Sequence, residues 1–289
     1  MRILLTGATG FLGRALTQAL RARGHHVMAL SRRFAQPLGL GEGVEVLPYT
    51  THGADEALKR GPVDAVIHAA CAYDRDGITP TELVEANLAR PLEVALTCGT
   101  HIGRWVNLGT ALPPATSGNA LAKDQFAQWL AYLPPERLAP RVNLRLQHFY
   151  GPGDHPRKFP TLVARACLRR ESIDLTSGTQ HRDFIYVDDA VSAILLACQA
   201  DLDGTWSQVD VGSGSAPTVR DFCERIQALA GGGELNFGAR PMRPEEPTRC
   251  VADTRALEGW GWRPTVDLDE GLRRLVDAER EVMTGGGHP

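Results

Sequence analysis

The stretch that decides the fold is residues 2–13, which read Arg-Ile-Leu-Leu-Thr-Gly-Ala-Thr-Gly-Phe-Leu-Gly. An apolar run leads into Gly7, Gly10 and Gly13, and leucines at helical spacing follow. A strand, a tight glycine turn and a helix in this order predict a cradle for the pyrophosphate of a dinucleotide. Gly7 permits the turn, Gly10 lets the backbone approach the phosphates, and Gly13 lets the helix pack on the strand. The alternative is a tight turn that binds no ligand.

Size, charge and cysteine content limit the class of protein. With 289 residues, 43% of them hydrophobic, the chain can form one large core or a main domain with a smaller lobe. A net charge of −3 provides no basic field for nucleic acid, and no apolar run approaches membrane-spanning length. The six cysteines are widely spaced, so we expect neither a metal site nor disulfides. Because the chain opens directly on a strand, we expect no signal peptide and a cytoplasmic protein.

Apolar β-runs alternate with helical patterns through the first half of the chain. This order predicts a doubly wound parallel α/β sheet of the Rossmann type. The strand candidates are residues 2–6, 26–30, 44–47, 63–68, 104–108 and 141–146, and the helix candidates are 11–23, 53–60, 80–98 and 120–133. In the second half we expect strands at 182–189 and 209–212 and helices at 159–170, 189–200, 218–230 and 268–283.

The end of the second strand indicates which dinucleotide binds. In an NAD site an acidic side chain there accepts hydrogen bonds from the adenosine ribose. This chain has Ser31 at that position, followed by Arg32 and Arg33. A 2′-phosphate would receive charge-assisted hydrogen bonds from the arginines, so we predict NADP(H) as the cofactor. The alternative is that both arginines are ordinary solvated loop charges.

Several further motifs resemble those of one enzyme family. They are Thr6 to Gly13, Val66-Ile67-His68-Ala69-Ala70, Asn87, Tyr150-Gly151-Pro152-Gly153, Arg182 to Asp189, and Gly261-Trp262-Arg263-Pro264. Together they are similar to the extended short-chain dehydrogenase/reductases, the NAD-dependent epimerase/dehydratase family, over nearly the whole chain. The second half is especially similar to reductases that make CDP-linked deoxysugars.

The resemblance implies a division of the chain and a set of site residues. It implies a Rossmann domain over 1–150, to which 182–211 return, and a small C-terminal α+β substrate lobe made mainly of 151–181 and 212–289. Together with the sequence arguments, it gives as predicted cofactor residues Gly7, Thr9, Gly10, Phe11, Leu12, Gly13, Ser31, Arg32, Arg33, Ala69, Ala70, Lys123 and His148. The predicted substrate residues are Tyr73, Thr110, Asn119 and Tyr150, and the predicted catalytic residues are Thr110, Asn119 and Lys123. For Tyr73 the alternative is a plain loop position, and for His148 it is a structural histidine.

The catalytic group departs from the family pattern at one position. The family has a Ser or Thr, then Tyr-x-x-x-Lys, and Thr110 and Lys123 match the first and last of these. Asn119 stands where the tyrosine belongs, and the connection from Thr110 is short. An amide can donate a hydrogen bond to a developing alkoxide but cannot release a proton near neutral pH. The proton must come from water, Lys123, a tyrosine such as Tyr73 or Tyr150, or the substrate.

A substrate phenol beside the ketone has a pKa of roughly 10, like the missing tyrosine. We therefore predict an NADPH-dependent ketoreductase acting on a phenolic aromatic polyketide of the angucyclinone type, as a monomer or homodimer. One alternative is a reductase or epimerase of a nucleotide-linked 4-keto-6-deoxysugar, in which Arg182 and Arg243 grip the pyrophosphate instead of forming salt bridges. Another is a non-catalytic NADP-binding sensor or scaffold.

Overall fold

The computed structural model describes residues 1–34, 38–75, 77–202, 204–243 and 246–285. The chain divides into two compact units. The first comprises Met1–Leu146, Val191–Asp210 and Ala256–Trp262, and the second comprises Gln147–Ala190, Val211–Arg255 and Arg263–Pro289. Compared with the predicted division, residues 147–150, 182–190 and 211 group with the second unit, and residues 256–262 group with the first.

The strands of the described residues are numbered in chain order. They are β1 (Arg2–Thr6), β2 (His26–Ser31), β3 (Glu45–Pro48), β4 (Ala65–His68), β5 (Trp105–Thr110), β6 (Arg141–Leu146), β7 (His148–Tyr150), β8 (Ser172–Leu175), β9 (His181–Arg182), β10 (Phe184–Tyr186), β11 (Trp206–Val211), β12 (Glu234–Phe237) and β13 (Arg249–Cys250).

The α-helices are numbered in the same way. They are α1 (Phe11–Ala22), α2 (Thr51–Lys59), α3 (Pro80–Val84), α4 (Arg90–Cys98), α5 (Gly118–Tyr132), α6 (Phe159–Leu168), α7 (Val187–Ala197), α8 (Val219–Ala230), α9 (Arg255–Gly259) and α10 (Leu268–Thr284). A π-helical turn, Glu85–Ala89, joins α3 to α4, and a 3-10 turn, Pro114–Thr116, precedes α5. Among the described residues, none of these helices is both long enough and apolar enough to cross a bilayer.

Seven strands form one sheet in the order β11-β6-β5-β4-β1-β2-β3. The predicted Rossmann-type sheet is confirmed, with β1 in parallel register between β2 and β4, where Thr6 faces Leu30 and His68. Ile3, Leu4 and Leu5 of β1 are fully buried. A parallel strand covered on both faces is apolar throughout, which is why this run does not alternate.

In the second unit the strands form short parallel pairs, β7 with β10, β8 with β12 and β9 with β13. The carboxylate of Asp183, which is fully buried, accepts backbone N–H groups from Ser213, Gly214 and Ala252. Asp189 likewise accepts the two backbone N–H groups of residues 265 and 266, just before α10. Buried carboxylates persist only when hydrogen-bonded, so both residues hold separate segments of this unit together.

The C-terminal end of α5 is closed by an arginine from the neighbouring strand. Arg141 of β6 is 1% exposed, and its guanidinium donates to the carbonyls of Leu130, Leu133 and Leu138. The last carbonyls of a helix have no partner within the helix, and burial makes an unpaired carbonyl costly. Arg141 therefore fixes α5, which carries Asn119 and Lys123, to the sheet.

Replacing Arg141 with Met should lower the free energy of unfolding by about 3 kcal/mol, because three carbonyls lose their donor while the apolar volume is retained. Urea unfolding followed by circular dichroism measures the change. Arg137→Met, at an exposed position of the same connection, is the matched control and should leave stability nearly unchanged. Equal effects of the two substitutions would contradict the assigned role.

Candidate active site

The glycine turn after β1 is packed so closely that side chains are excluded at two positions. Gly7 has a φ of +73°, and a Cβ there would lie 2.6 Å from the backbone nitrogen of Ala70. A Cβ on Gly13 would lie 2.0 Å from the carbonyl oxygen of Gly7. Gly7 therefore brings the turn against the end of β4, and Gly13 brings α1 against the turn.

Gly10 differs from the other two glycines. A Cβ there would meet only the carbonyl oxygen of Gly7, at 3.4 Å, and otherwise points into open space. Gly10 is also the N-cap of α1 and contributes no side-chain hydrogen bond to the first N–H groups of the helix. An open approach to a helix N-terminus suits a phosphate, so the turn fits a dinucleotide pyrophosphate. Thr9 is exposed, Phe11 is half-buried, and Leu12 packs inward with 7% exposure.

At the ends of β1 and β4, Thr6 contacts both His68 and the backbone of Ala70. Its hydroxyl oxygen accepts the N–H of Ala70 at 3.1 Å and lies 2.8 Å from Nδ1 of His68. Burial, aided by the charge of Lys123, lowers the pKa of His68 to about 3, so the ring is neutral. Thr6 can therefore donate its own hydrogen to Nδ1, and the pair fixes where Ala69 and Ala70 leave the strand.

The segment after Ala70 is held to two helices. Asn87 of the π-helical turn brackets the peptide of Ala72, accepting its N–H at 2.7 Å and donating to its carbonyl at 2.8 Å. Asp74 accepts the backbone N–H of Gly118 at the start of α5 at 3.2 Å. Tyr73, which lies between Ala72 and Asp74 in the sequence, stacks under the guanidinium of Arg75, whose Cζ is 4.6 Å from the centroid of the tyrosine ring. The loop that carries Tyr73 is therefore fixed beside the first turn of α5.

Thr110 and Lys123 line one cavity of about 260 Å³ in the first unit. Thr110 ends β5, and its hydroxyl accepts the N–H of Leu112 at 3.2 Å. The ammonium of Lys123 donates to the carbonyl of Leu108 on the same strand. Asn119 is half-buried in the first turn of α5, after the N-cap residue Ser117, and is not among the residues that line this cavity.

Across β5, β6 and β11 runs a chain of hydrogen-bonded carboxamides that the sequence analysis missed. Asn107 of β5 donates to Asn143 of β6 at 2.7 Å, and Asn143 donates to Gln208 of β11 at 2.9 Å. A Cβ on Gly109 would lie 2.5 Å from Oδ1 of Asn143, so the glycine makes room for this carboxamide chain. The sequence signal for this carboxamide chain was one asparagine within each of two largely apolar strands, because a buried amide needs hydrogen-bond partners.

Ser31 ends β2, and Arg32 and Arg33 lie in the turn that follows it. Ser31 accepts the backbone N–H of Arg33 at 3.1 Å, and Arg32 and Arg33 are both exposed. Among the described residues, no carboxylate forms an ion pair with either arginine. The two guanidinium groups are therefore open to an anion.

The remaining predicted site residues belong to the second unit. His148 packs its ring against Phe184, and burial lowers its pKa to about 4. Tyr150 is 1% exposed, its hydroxyl donates to the carbonyl of Leu268 at 3.4 Å, and burial raises its pKa. Its phenol therefore belongs to the core of this unit and does not open onto a surface.

Arg182 and Arg243, considered as pyrophosphate ligands, differ in the structure. Arg182 has a side chain only 5% exposed and pairs with Glu246 at 2.7 Å, so its guanidinium serves the structure of the second unit. Arg243 is exposed. Glu245, two residues further on, lies outside the described residues.

Because His68 is neutral in the folded protein, the free energy of unfolding should depend on pH. The pKa of an unfolded histidine is 6.5, against about 3 here, so acid charges the unfolded chain first. The associated stability is complete above pH 6.5 and is lost as pH falls towards 3. The excess stability of the parent over His68→Asn should shrink by about 2 kcal/mol between pH 7 and pH 5, measured by urea unfolding. A pH-independent difference would show that the pKa of His68 is the same in the folded and the unfolded protein.

The chain is similar in sequence to known proteins. The sequence model of the NAD dependent epimerase/dehydratase family matches residues 3–212. CDP-abequose synthase of Salmonella muenchen is 26% identical, with 95% of this chain and 97% of the relative covered. The dTDP-6-deoxy-L-talose 4-dehydrogenase (NAD(P)(+)) of Kitasatospora kifunensis is 28% identical, with 96% and 95% covered.

Solved structures agree on the fold. UDP-glucose 4-epimerase of Thermotoga maritima superposes with a TM-score of 0.86 at 21% identity, covering 98% of this chain and 100% of that one. UDP-glucose 4-epimerase of Thermus thermophilus, in complex with NAD, has a TM-score of 0.83 at 25% identity, covering 97% and 99%. With its glycine turn, its parallel sheet and a family match over most of its length, the chain belongs to the NAD dependent epimerase/dehydratase family.

Proposed function

We propose that this protein is an NADPH-dependent oxidoreductase that reduces a ketone without a tyrosine proton donor. The proposal rests on the residues that β5 and α5 bring together. Thr110 and Lys123 line one cavity, whereas the position four residues before Lys123 holds the amide of Asn119. This arrangement supports a reductase site whose usual acid is replaced.

Each residue has a distinct task in this proposal. The glycine turn and the start of α1 hold the pyrophosphate, and Lys123, anchored on the carbonyl of Leu108, holds the ribose next to the nicotinamide. The bound cofactor supplies the hydride. The hydroxyl of Thr110 and the amide of Asn119 donate hydrogen bonds to the carbonyl oxygen as negative charge develops on it. Neither group releases a proton near neutral pH, so another acid must complete the alcohol.

The comparisons favour a sugar-nucleotide substrate. CDP-abequose synthase and the dTDP-6-deoxy-L-talose dehydrogenase act, by their names, on nucleotide-linked deoxysugars. Both match nearly the whole chain, including the second unit. This supports a reductase or epimerase of a nucleotide-linked 4-keto-6-deoxysugar more strongly than it supports an enzyme of aromatic polyketides.

Two features of the chain favour the phenolic ketone. First, Asn119 stands where the family has its tyrosine, and a substrate phenol hydrogen-bonded to the ketone could replace that tyrosine by giving its proton to the new alkoxide and regaining one from water. Second, Arg182, a position where a sugar-nucleotide enzyme grips pyrophosphate, is buried in its pair with Glu246. Both substrate classes therefore enter the test.

The cofactor preference can be measured directly. We expect the parent protein to prefer NADPH over NADH, and Arg32→Ala to reduce that preference by about tenfold, because a charge-assisted hydrogen bond to the 2′-phosphate is lost. The ratio of kcat/KM for the two cofactors is the measurement. Arg23→Ala, an exposed arginine at the far end of α1, is the control. Equal use of both cofactors by the parent would refute NADP specificity.

The proton source separates the substrate classes. A cyclic aromatic ketone with an adjacent phenol should be reduced, and its O-methyl ether should react at least about a hundredfold more slowly, because general acid catalysis is lost. Asn119→Tyr should restore part of the activity towards the ether, since it returns a phenol to the fourth position before Lys123. NADPH oxidation at 340 nm reports both reactions.

The same assay with CDP-4-keto-6-deoxyglucose tests the sugar-nucleotide alternative. Turnover of this compound, together with inactivity towards the phenolic ketone, would establish the sugar reductase in its place. Tight NADPH binding without turnover of any ketone would support a sensor or scaffold and refute the reductase.

A further inference from the structure

We infer that Arg14 is a ligand of the adenosine 2′-phosphate, acting with Arg32 and Arg33. This inference rests on the proposed NADP specificity and adds a residue from a different element to that site. Arg14 is in the first turn of α1, directly after Gly13, and is exposed.

The contacts of Arg14 hold its guanidinium beside the glycine turn. Its Nε donates to the carbonyl oxygen of Thr9 at 3.1 Å. On the other side, Nη1 lies 3.8 Å from the position that a side chain on Gly39 would take. The guanidinium therefore lies between the turn after β1 and the segment that follows Arg32 and Arg33.

The sheet register brings these two segments to one corner. β1 and β2 are neighbours in parallel register, with Thr6 opposite Leu30. The glycine turn and the Arg32-Arg33 turn thus leave adjacent strands, about 4.8 Å apart, at the same edge. The adenosine ribose of a dinucleotide held at such a turn is read at the end of the second strand.

Within the described residues, no ion pair balances the charge of these three arginines, Arg14, Arg32 and Arg33. Neither residues 6–24 nor residues 31–41 contain an Asp or Glu. Like charges at one site repel each other, and a phosphate monoester dianion would neutralise them with charge-assisted hydrogen bonds. ADP lacks this group at the 2′ position, so the corner distinguishes the two nucleotides.

The test uses fragments of the cofactor, so that it does not depend on turnover. Calorimetry should show that the parent protein binds 2′,5′-ADP more tightly than ADP. Arg14→Ala should weaken 2′,5′-ADP by about tenfold and leave ADP unchanged, and Arg14→Lys should restore part of the loss. The affinity of the parent for 2′,5′-ADP should also fall more steeply with salt than that of Arg14→Ala.

Arg21→Ala is the matched control. Arg21 lies on the same helix and packs its guanidinium against Gly41 of the same following segment, away from the glycine turn. If Arg14 merely supports that segment, both variants will weaken both nucleotides alike, and the inference is wrong. If the parent protein prefers 2′,5′-ADP but Arg14→Ala keeps the full preference, only the role of Arg14 is refuted. Equal binding of both nucleotides by the parent would instead refute the NADP specificity on which the inference rests.

Discussion

The close approach of α1 to the turn after β1 is the constraint on which the rest of the site depends. Only a hydrogen atom fits between Gly13 and the carbonyl of Gly7, since a Cβ would lie 2.0 Å from that oxygen. With the helix so close, its N-terminus faces the same sheet edge as the ends of β4 and β5. The dipole of α1, the neutral His68 and the ammonium of Lys123 therefore act at one edge of one sheet.

The elements that the sequence predicted well are those with strong periodicity or a covered apolar run. The predicted bounds of β1 and β6 agree with the observed ones, and helix 80–98 is present. Its π-helical turn was not foreseen, because one extra residue per turn leaves no pattern in composition. The short pair β8 and β12 was missed although both strands alternate polar and apolar residues, because each has only four residues and most of them are exposed or half-buried.

The candidate site likewise has features that the sequence predicted and contacts that it did not. Local motifs predicted the glycine turn, the arginines after β2 and the pairing of Thr110 with Lys123 around one space. The contact of Thr6 with His68 joins residues 62 apart, and that of Asn107 with Asn143 joins residues 36 apart. Such contacts follow from strand order, which a local pattern does not contain. Tyr150 shows the opposite error. Its place in a family motif suggested a contact with the substrate, whereas its phenol is buried in the core of the second unit.

The retention of Lys123 beside Asn119 also limits what this site can do. A lysine that only lowered the pKa of a tyrosine would have no task once the tyrosine was gone. Lys123 instead has a fixed partner in the carbonyl of Leu108, and its charge, after burial, lowers the pKa of His68. A half-buried ammonium loses hydration, and this cost is offset where anionic or hydroxyl oxygens bind. Its position is thus suited to orienting a ribose and to stabilising an alkoxide, while proton donation is left to a group outside this pair.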